Sequence, residues 1–291
     1  MADSNHERPT EDQCREIRER VARNWEDVAE AWDRWEPYFA AGSWPVTQKL
    51  IAGLQLSPEA RVLDVGCGVG DPALQIAAAI APRGSVLAID LSEDMVRAVS
   101  RRAQVLGLTN ITCRVAAAEE LDERPGSFDG VAARFALMAM PDVPGALRHL
   151  RSLLRESGRI AASVWAPHEA NPMFAIPCQE LAKIVKLAKP GPHEPGAMRL
   201  SRDGELAGAL SNAGFHDVRV ERVPTYQFAR DPEDYWSMLS RMAPGFRRQL
   251  KRLTDEQREA VRKGIKEAVA RYASGPVIRV PAMAQVGTAS A

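Results

Sequence analysis

Gly66, Gly68 and Gly70 stand at every second position in RVLDVGCGVGDPALQIA (61–77), between an apolar run and a helical one. A glycine-rich turn from strand to helix lets a ligand approach bare backbone, and nucleotides are the commonest such ligands. The dinucleotide fingerprint spaces its glycines as G-x-G-x-x-G, so the third glycine here comes one position early. Carboxylates crowd the same turn. Asp64 lies just before Gly66, and Asp71, followed by Pro72, reads as an N-cap with a first-turn proline on the next helix. Such a helix start would repel a phosphate and attract an ammonium group. Further on, Asp90 ends the run SVLAID, where an acidic side chain can accept hydrogen bonds from ribose hydroxyls. The pattern suits a nucleoside that carries an amino group and no phosphates, a description that S-adenosylmethionine meets.

The elements that must hold these groups alternate. Short β-rich runs, RVLDVG, SVLAID, ITCRVA, FDGVAARF and GRIAASVW, are separated by helical patterns near 72–81, 93–106 and 143–155, the mark of a parallel sheet wrapped by helices. Ahead of them, Cys14, Ile17, Val21, Trp25, Val28, Trp32 and Trp35 recur at three-and-four spacing from 11 to 35 and predict an amphipathic helix, either packed on the main domain or serving as a lid. A separate helix over 47–55 leads into the first strand. After Trp165 the alternation stops. A helix is expected over 176–188, then the Pro/Gly-rich KPGPHEPG, a helix from an N-cap at Ser201 to Gly214, and a strand over 218–228. Residues 232–272 read as helical with a solvated basic face, and VIRVPAMAQVGT as a strand whose proline suits an edge or bulge. The expected domains are a tail and lid helix over 1–40, a core over 41–230 with a helical insertion near 172–200, and a helical cap with the last strand over 231–291.

Composition narrows the partners. The 291 residues carry 38 Lys plus Arg against 38 Asp plus Glu, so no net field draws the chain to nucleic acid or an anionic membrane. Cys14, Cys67, Cys113 and Cys178 form no CxxC pair and no zinc spacing, so no metal is expected and a reducing cytoplasm is the simplest location. No run reaches the roughly 20 apolar residues of a membrane span.

The segments VLDVGCGVG, AIDLSEDM, AEEL, FDGVAARFALM and LRSLLRESGRIAASVW, together covering 61–165, resemble the class I S-adenosylmethionine-dependent methyltransferases, in particular the small-molecule branch with the ubiquinone and menaquinone methylases. WAPHEANPMF is similar to that branch as well. The resemblance implies a Rossmann-like α/β fold: a seven-stranded, mostly parallel sheet with helices on both faces and a helical lid. It also implies residue roles. Gly66, Gly68 and Gly70 would approach the methionine part, Asp64 would orient its amino group or the loop, and Asp90 would bind the ribose. Leu91 and Met95 would flank adenine, Ala118 would offer its amide to the ring, and Glu119 lies beside it. Where the family often has an acidic residue before that alanine, this chain has Ala117, which shifts the adenine amino contact toward Glu119.

Methyl transfer from a sulfonium is an in-line displacement that an enzyme can assist by alignment and water exclusion, so a base is optional. Ligands of open α/β sheets lie beyond the carboxyl ends of the strands. That rule selects Arg134, as a substrate anchor or a structural ion pair, and His168, as a general base or a pocket wall; His6, His149, His193 and His216 fall in the tail, on a helix, in a loop and in a turn. Trp25, Trp32, Trp35, Phe174, Tyr235 and Trp236 are placed to cover the site, which predicts a bulky, mainly apolar small-molecule acceptor. The Asn/Asp-Pro-Pro-Tyr motif of nucleic-acid amino-methylases is missing after the fourth strand. A non-catalytic adenosylmethionine-binding regulator on the same fold is the alternative, with a nicotinamide oxidoreductase behind it.

Overall fold

A computed structural model of the chain describes residues 8–187, 191 and 193–291; His6 and the expected helix end at Ala188 lie outside them. The helix α1 (Glu11–Glu26) starts in a capping box between Thr10 and Gln13 and buries Cys14, Ile17 and Val21. The helix expected over 11–35 breaks at Asp27 and Val28, and the next helix, α2 (Ala29–Leu54), runs on without interruption through the one expected over 47–55, carrying Pro37 and Pro45 in its interior. Proline removes an intrahelical bond, so the carbonyl four residues earlier needs another donor. For Pro37 that carbonyl is Asp33, which accepts from the Arg102 guanidinium at 2.9 Å. Tertiary contacts therefore support a helix that local signals break. A Cβ on Gly42 would come within 1.8 Å of the Tyr226 carbonyl, so only glycine lets α2 approach the sheet this closely.

The sheet is built from β1 (Arg61–Val65), β2 (Ser85–Asp90), β3 (Ile111–Val115), β4 (Phe128–Arg134), β5 (Leu154–Trp165), β6 (His216–Ala229), a two-residue β7 (Ala273–Ser274) and β8 (Val277–Ser290). Its order is β3-β2-β1-β4-β5-β8-β6. The first five strands are parallel, and β8 runs antiparallel between β5 and β6. The seven expected strands are thus present, with the short β7 pairing beside them. Pro281 sits in the part of β8 beyond the last β5 pair, Trp165 with Ala284, so its missing N–H costs no bond to β5.

Helices α3 (Ala73–Ile80), α4 (Glu93–Val105) and α5 (Val143–Leu153) alternate with the parallel strands, as the periodicity predicts. Then come α6 (Pro172–Ala182), α7 (Glu205–Asn212), α8 (Pro232–Met242), α9 (Pro244–Leu250) and α10 (Asp255–Ala270). Two of the expected helices are corrected: α6 begins earlier and ends earlier, and α7 starts after Gly204, at φ +85°, instead of at Ser201.

The sheet separates two apolar cores. Val62, Ala132 and Ala161 face the side of α2 and α3, whereas Leu63, Val65, Val131, Ala133 and Ile160 face α5 and α7. Strand alternation then puts Asp64 and Arg134 on the α2 side, where Ser43, Thr47 and Asp71 are buried as well. Residue 40 falls inside α2, and β8 lies inside the sheet.

Candidate active site

Beyond the end of β1 the chain turns through Gly66, Gly68 and Gly70 at φ +66°, +52° and +121°, the region glycine adopts without a Cβ penalty. A Cβ on Gly66 would press to 2.7 Å from Ala136, and one on Gly70 to 2.5 Å from Leu74. At Gly68 nothing lies within 4 Å of that position, so a ligand can reach this backbone face. The loop is tied to β2 by its own polar groups. The Cys67 amide donates to the Ile89 carbonyl at 2.9 Å, and the Gly68 amide donates to the Asp90 carboxylate at 3.0 Å.

The second Asp90 oxygen accepts from the Ser92 amide at 2.9 Å. Burial raises the Asp90 carboxyl above its ordinary value, against the pull of the Ser92, Gly68 and Leu91 amides. Each of its oxygens keeps acceptor capacity for a hydroxyl. Asp64 is fully buried, and neither of its oxygens has a hydrogen-bond partner. Its carboxyl is pushed up to about 7, first by desolvation and then by Asp71 and Asp90, with Arg134 opposing.

Asp71 does not cap α3. That position is taken by Pro72 without a side-chain bond, because the Asp71 carboxylate turns to Arg134 at 2.8 Å and accepts from the Thr47 hydroxyl at 3.1 and 3.2 Å. Arg134 also donates to the Asp71 carbonyl at 3.0 Å and to the Ser43 hydroxyl at 2.8 Å, and stacks over Phe39. Of the two sequence readings of Arg134, these contacts describe the structural ion pair.

Met95 is buried in a small cluster with Val69 and Ala98, against which Trp25 and Trp32 of α1 and α2 pack, and Leu91 is half-buried. Ala118 is buried, and Glu119 holds a buried oxygen without a partner. Burial raises the Glu119 carboxyl, with Arg18 of α1 pulling the other way, and Arg18 pairs with the neighbouring Glu120.

His168 lies on a short turn, His168–Ala170, three residues beyond β5, and is half-buried. Among the described residues no hydrogen bond reaches its ring. Asn171, fully buried, holds this turn against β8. Its amide nitrogen donates to the carbonyls of Ala166 at 2.8 Å and Met283 at 3.1 Å, and its oxygen accepts from the Met283 amide at 2.9 Å.

Sequence reasoning missed the centre of the aromatic wall. Trp32 packs edge-on against Phe39 at 4.8 Å, Phe39 against Phe135 and Trp165, Phe135 stacks on Trp165 at 4.0 Å, and Trp165 meets Phe174 at 5.3 Å. Phe135 adopts φ +55°, held by its amide bonds to the Ser163 carbonyl and hydroxyl, a conformation rare for a bulky residue and frequent at functional sites. The signal was available: Phe135 and Trp165 directly follow or end the fourth and fifth strands. Trp35, Tyr235 and Trp236 lie in the same apolar core as Phe39 and Trp165; the Tyr235 hydroxyl bonds the Met173 carbonyl at 3.4 Å.

This sheet order, with a glycine turn and two acidic side chains at the carboxyl edge, defines the Rossmann-like methyltransferase fold. The chain belongs to the methyltransferase domain family, whose model matches residues 56–206, just over half of its length. It is 31% identical over 184 residues to a nocamycin O-methyltransferase of Saccharothrix syringae, covering 60% of this chain and 66% of that protein. With a demethylmenaquinone methyltransferase of Symbiobacterium thermophilum it shares 31% identity over 137 residues, 46% of this chain and 55% of that one. The chain thus spans about half to two-thirds of the length of these curated relatives. The solved structure of the [4+2]-cyclase SpnF has the same fold, with a TM-score of 0.54 at 19% identity over 91% of this chain and 95% of that one. The family's cofactor is S-adenosylmethionine, and the residues present fit it: a cradle open at Gly68, the Asp90 oxygens with acceptor capacity left, and an orphaned buried carboxylate at Asp64.

Proposed function

We propose that the chain transfers the methyl group of S-adenosylmethionine to an O, C or N atom of a small, largely apolar organic molecule. The observation that carries this reading is the joining of the open Gly68 cradle to an aromatic wall: Ala136 touches the Gly66 position, and the preceding Phe135 stacks on Trp165. When bound, the cofactor supplies an electrophilic methyl on a sulfonium. The chain's own residues then do the rest. Asp90 accepts from the ribose, Leu91, Met95 and Ala118 frame the adenine, Glu119 takes its amino group, and Asp64 faces the ammonium end.

Phe39, Phe135, Trp165 and Phe174 exclude water and offer apolar faces to the acceptor, which in-line displacement rewards because a bare nucleophile is more reactive in a dry site. Arg134 is committed to Asp71, so it shapes the loop without gripping the acceptor. His168 is the base when the nucleophile is a phenol or enol. α1 and the first turns of α2 act as the lid. No described helix is long and apolar enough to cross a membrane, and with its cysteines free we place the protein in the cytoplasm with a small-molecule partner and no nucleic acid.

The relatives' names, an O-methyltransferase and a quinone-precursor methyltransferase, support small organic acceptors. The alternative is a protein that binds the cofactor without spending its methyl. Incubation with isotopically methyl-labelled cofactor and a metabolite extract, read by mass spectrometry, separates the two. A labelled small molecule formed with demethylated cofactor supports transfer; cofactor that is bound and returned intact supports the alternative.

A further inference from the structure

We propose that Asp64 carries a proton in the ligand-free protein and releases it to solvent when the cofactor's ammonium group docks at the glycine loop. The inference rests on the methyltransferase reading, because it needs a ligand with an ammonium group at that place. The balance is simple: the Asp64 O–H bond breaks, the proton leaves to bulk water, and the carboxylate left behind faces the ammonium, which keeps its own three hydrogens.

The geometry behind it is a carboxyl group with no exposed surface and no donor on either oxygen. An ion so placed has lost its water and gained nothing in exchange, so the neutral acid is favoured. Every charged or titratable group that faces it leaves this intact. Arg134, from β4, is the cation that faces it among the described residues, and its guanidinium is bound to Asp71 at 2.8 Å and to Ser43 at 2.8 Å. Asp71 from the loop and Asp90 from β2 are carboxylates and oppose a third charge. Cys67 of the loop and Cys113 of β3 are thiols that burial pushes up, hence neutral. α3 offers only the Ala73 amide, outside ordinary hydrogen-bond geometry, and the Thr47 hydroxyl of α2 is spent on Asp71. The value of about 7 for Asp64 agrees with this arrangement and places the transition in the physiological range.

An ammonium docked at the glycine loop brings an opposite charge toward this enclosed carboxyl, which favours the carboxylate. Binding then releases a proton below pH 7, and affinity drops about tenfold for each pH unit below that point. Above about pH 8 the ligand's own amine begins to lose its proton, an α-amino group titrating near 7.7 to 8.0. Affinity peaks between the two.

The test is titration calorimetry of the full chain with S-adenosylhomocysteine at pH 6, in two buffers of different ionisation enthalpy. The wild type should release close to one proton per site, declining through pH 7, and Asp64→Asn should release none and bind with an affinity that is flat below pH 7. Binding by the wild type without proton release, or equal release in Asp64→Asn, overturns the proposal and leaves the methyltransferase reading standing. Absence of binding overturns both. Should the variant not fold, infrared difference spectra of the wild type decide: loss of a protonated-carboxyl band on adding the ligand is expected, and an unchanged band contradicts the assignment.

Discussion

Arg134 and Asp71 are a buried ion pair whose members are 63 residues apart in sequence and joined by the meeting of β4 with the glycine loop. Removing one partner strands the other in the interior, which costs about 3–5 kcal/mol. Arg134→Met is therefore expected to lower the denaturant midpoint markedly, and adding Asp71→Asn should recover much of the loss. Unchanged stability with a raised KM would instead make Arg134 an acceptor ligand. Asp64 acts in the opposite direction. Its folded-state value of about 7 lies above the unfolded 3.8, so the folded state holds the proton more tightly and stability falls as pH rises from about 4 to 7. The full difference is roughly 4 kcal/mol above pH 7. Asp64→Asn should accordingly stabilise the ligand-free protein more at pH 8 than at pH 5, as melting curves at the two pH values would reveal. Asp90→Ala loses the tie to the Gly68 amide and, on the proposed reading, a ribose acceptor. With charged hydrogen bonds at about 1.5–3 kcal/mol each, cofactor affinity should drop at least ten- to a hundredfold by calorimetry.

At the scale of elements, the two N-terminal helices differ in kind. α1 is held at its polar side by Arg18 to Glu120 and by Arg20 to Glu194 at 2.7 Å, the latter pair well exposed and so weakly stabilising. α2 buries Phe39, Val46, Leu50 and Leu54 in the main core. Deleting residues 1–27 should leave a folded sheet with impaired turnover, whereas deleting 1–40 cuts α2 and should unfold much of the domain. Hydrogen exchange checks the same point in the intact chain. Amides of 14–26 should gain protection when S-adenosylhomocysteine is added, while those of 46–54 are protected throughout. Equal, ligand-insensitive protection of both would make α1 a fixed part of the core.

Across the whole molecule, a ligand present at a hundredfold its Kd stabilises the fold by about 2.7 kcal/mol, so S-adenosylhomocysteine should raise the melting temperature and NADH should not. What could be read from the sequence and what could not follow one physical division. The glycine loop, Asp90 and the strand–helix alternation are local patterns, and they lie where the residues predict. The continuity of α2 was hidden because Pro37 and Pro45 are local breakers, and the donor that offsets Pro37, Arg102, is distant in sequence. Asp71 was misread as a cap because its stronger partner, Arg134, is distant in sequence. Phe39, Phe135 and Trp165 become a wall only once three elements meet.

The most direct test of this account is a crystal structure grown with S-adenosylhomocysteine. The ribose hydroxyls should lie on Asp90, the amino-acid end against Gly66–Gly70 and Asp64, and the adenine between Met95 and Ala118 beneath Trp25 and Trp32. A ligand found elsewhere on the sheet, or in this loop with Asp90 making no contact to the ribose, would contradict it.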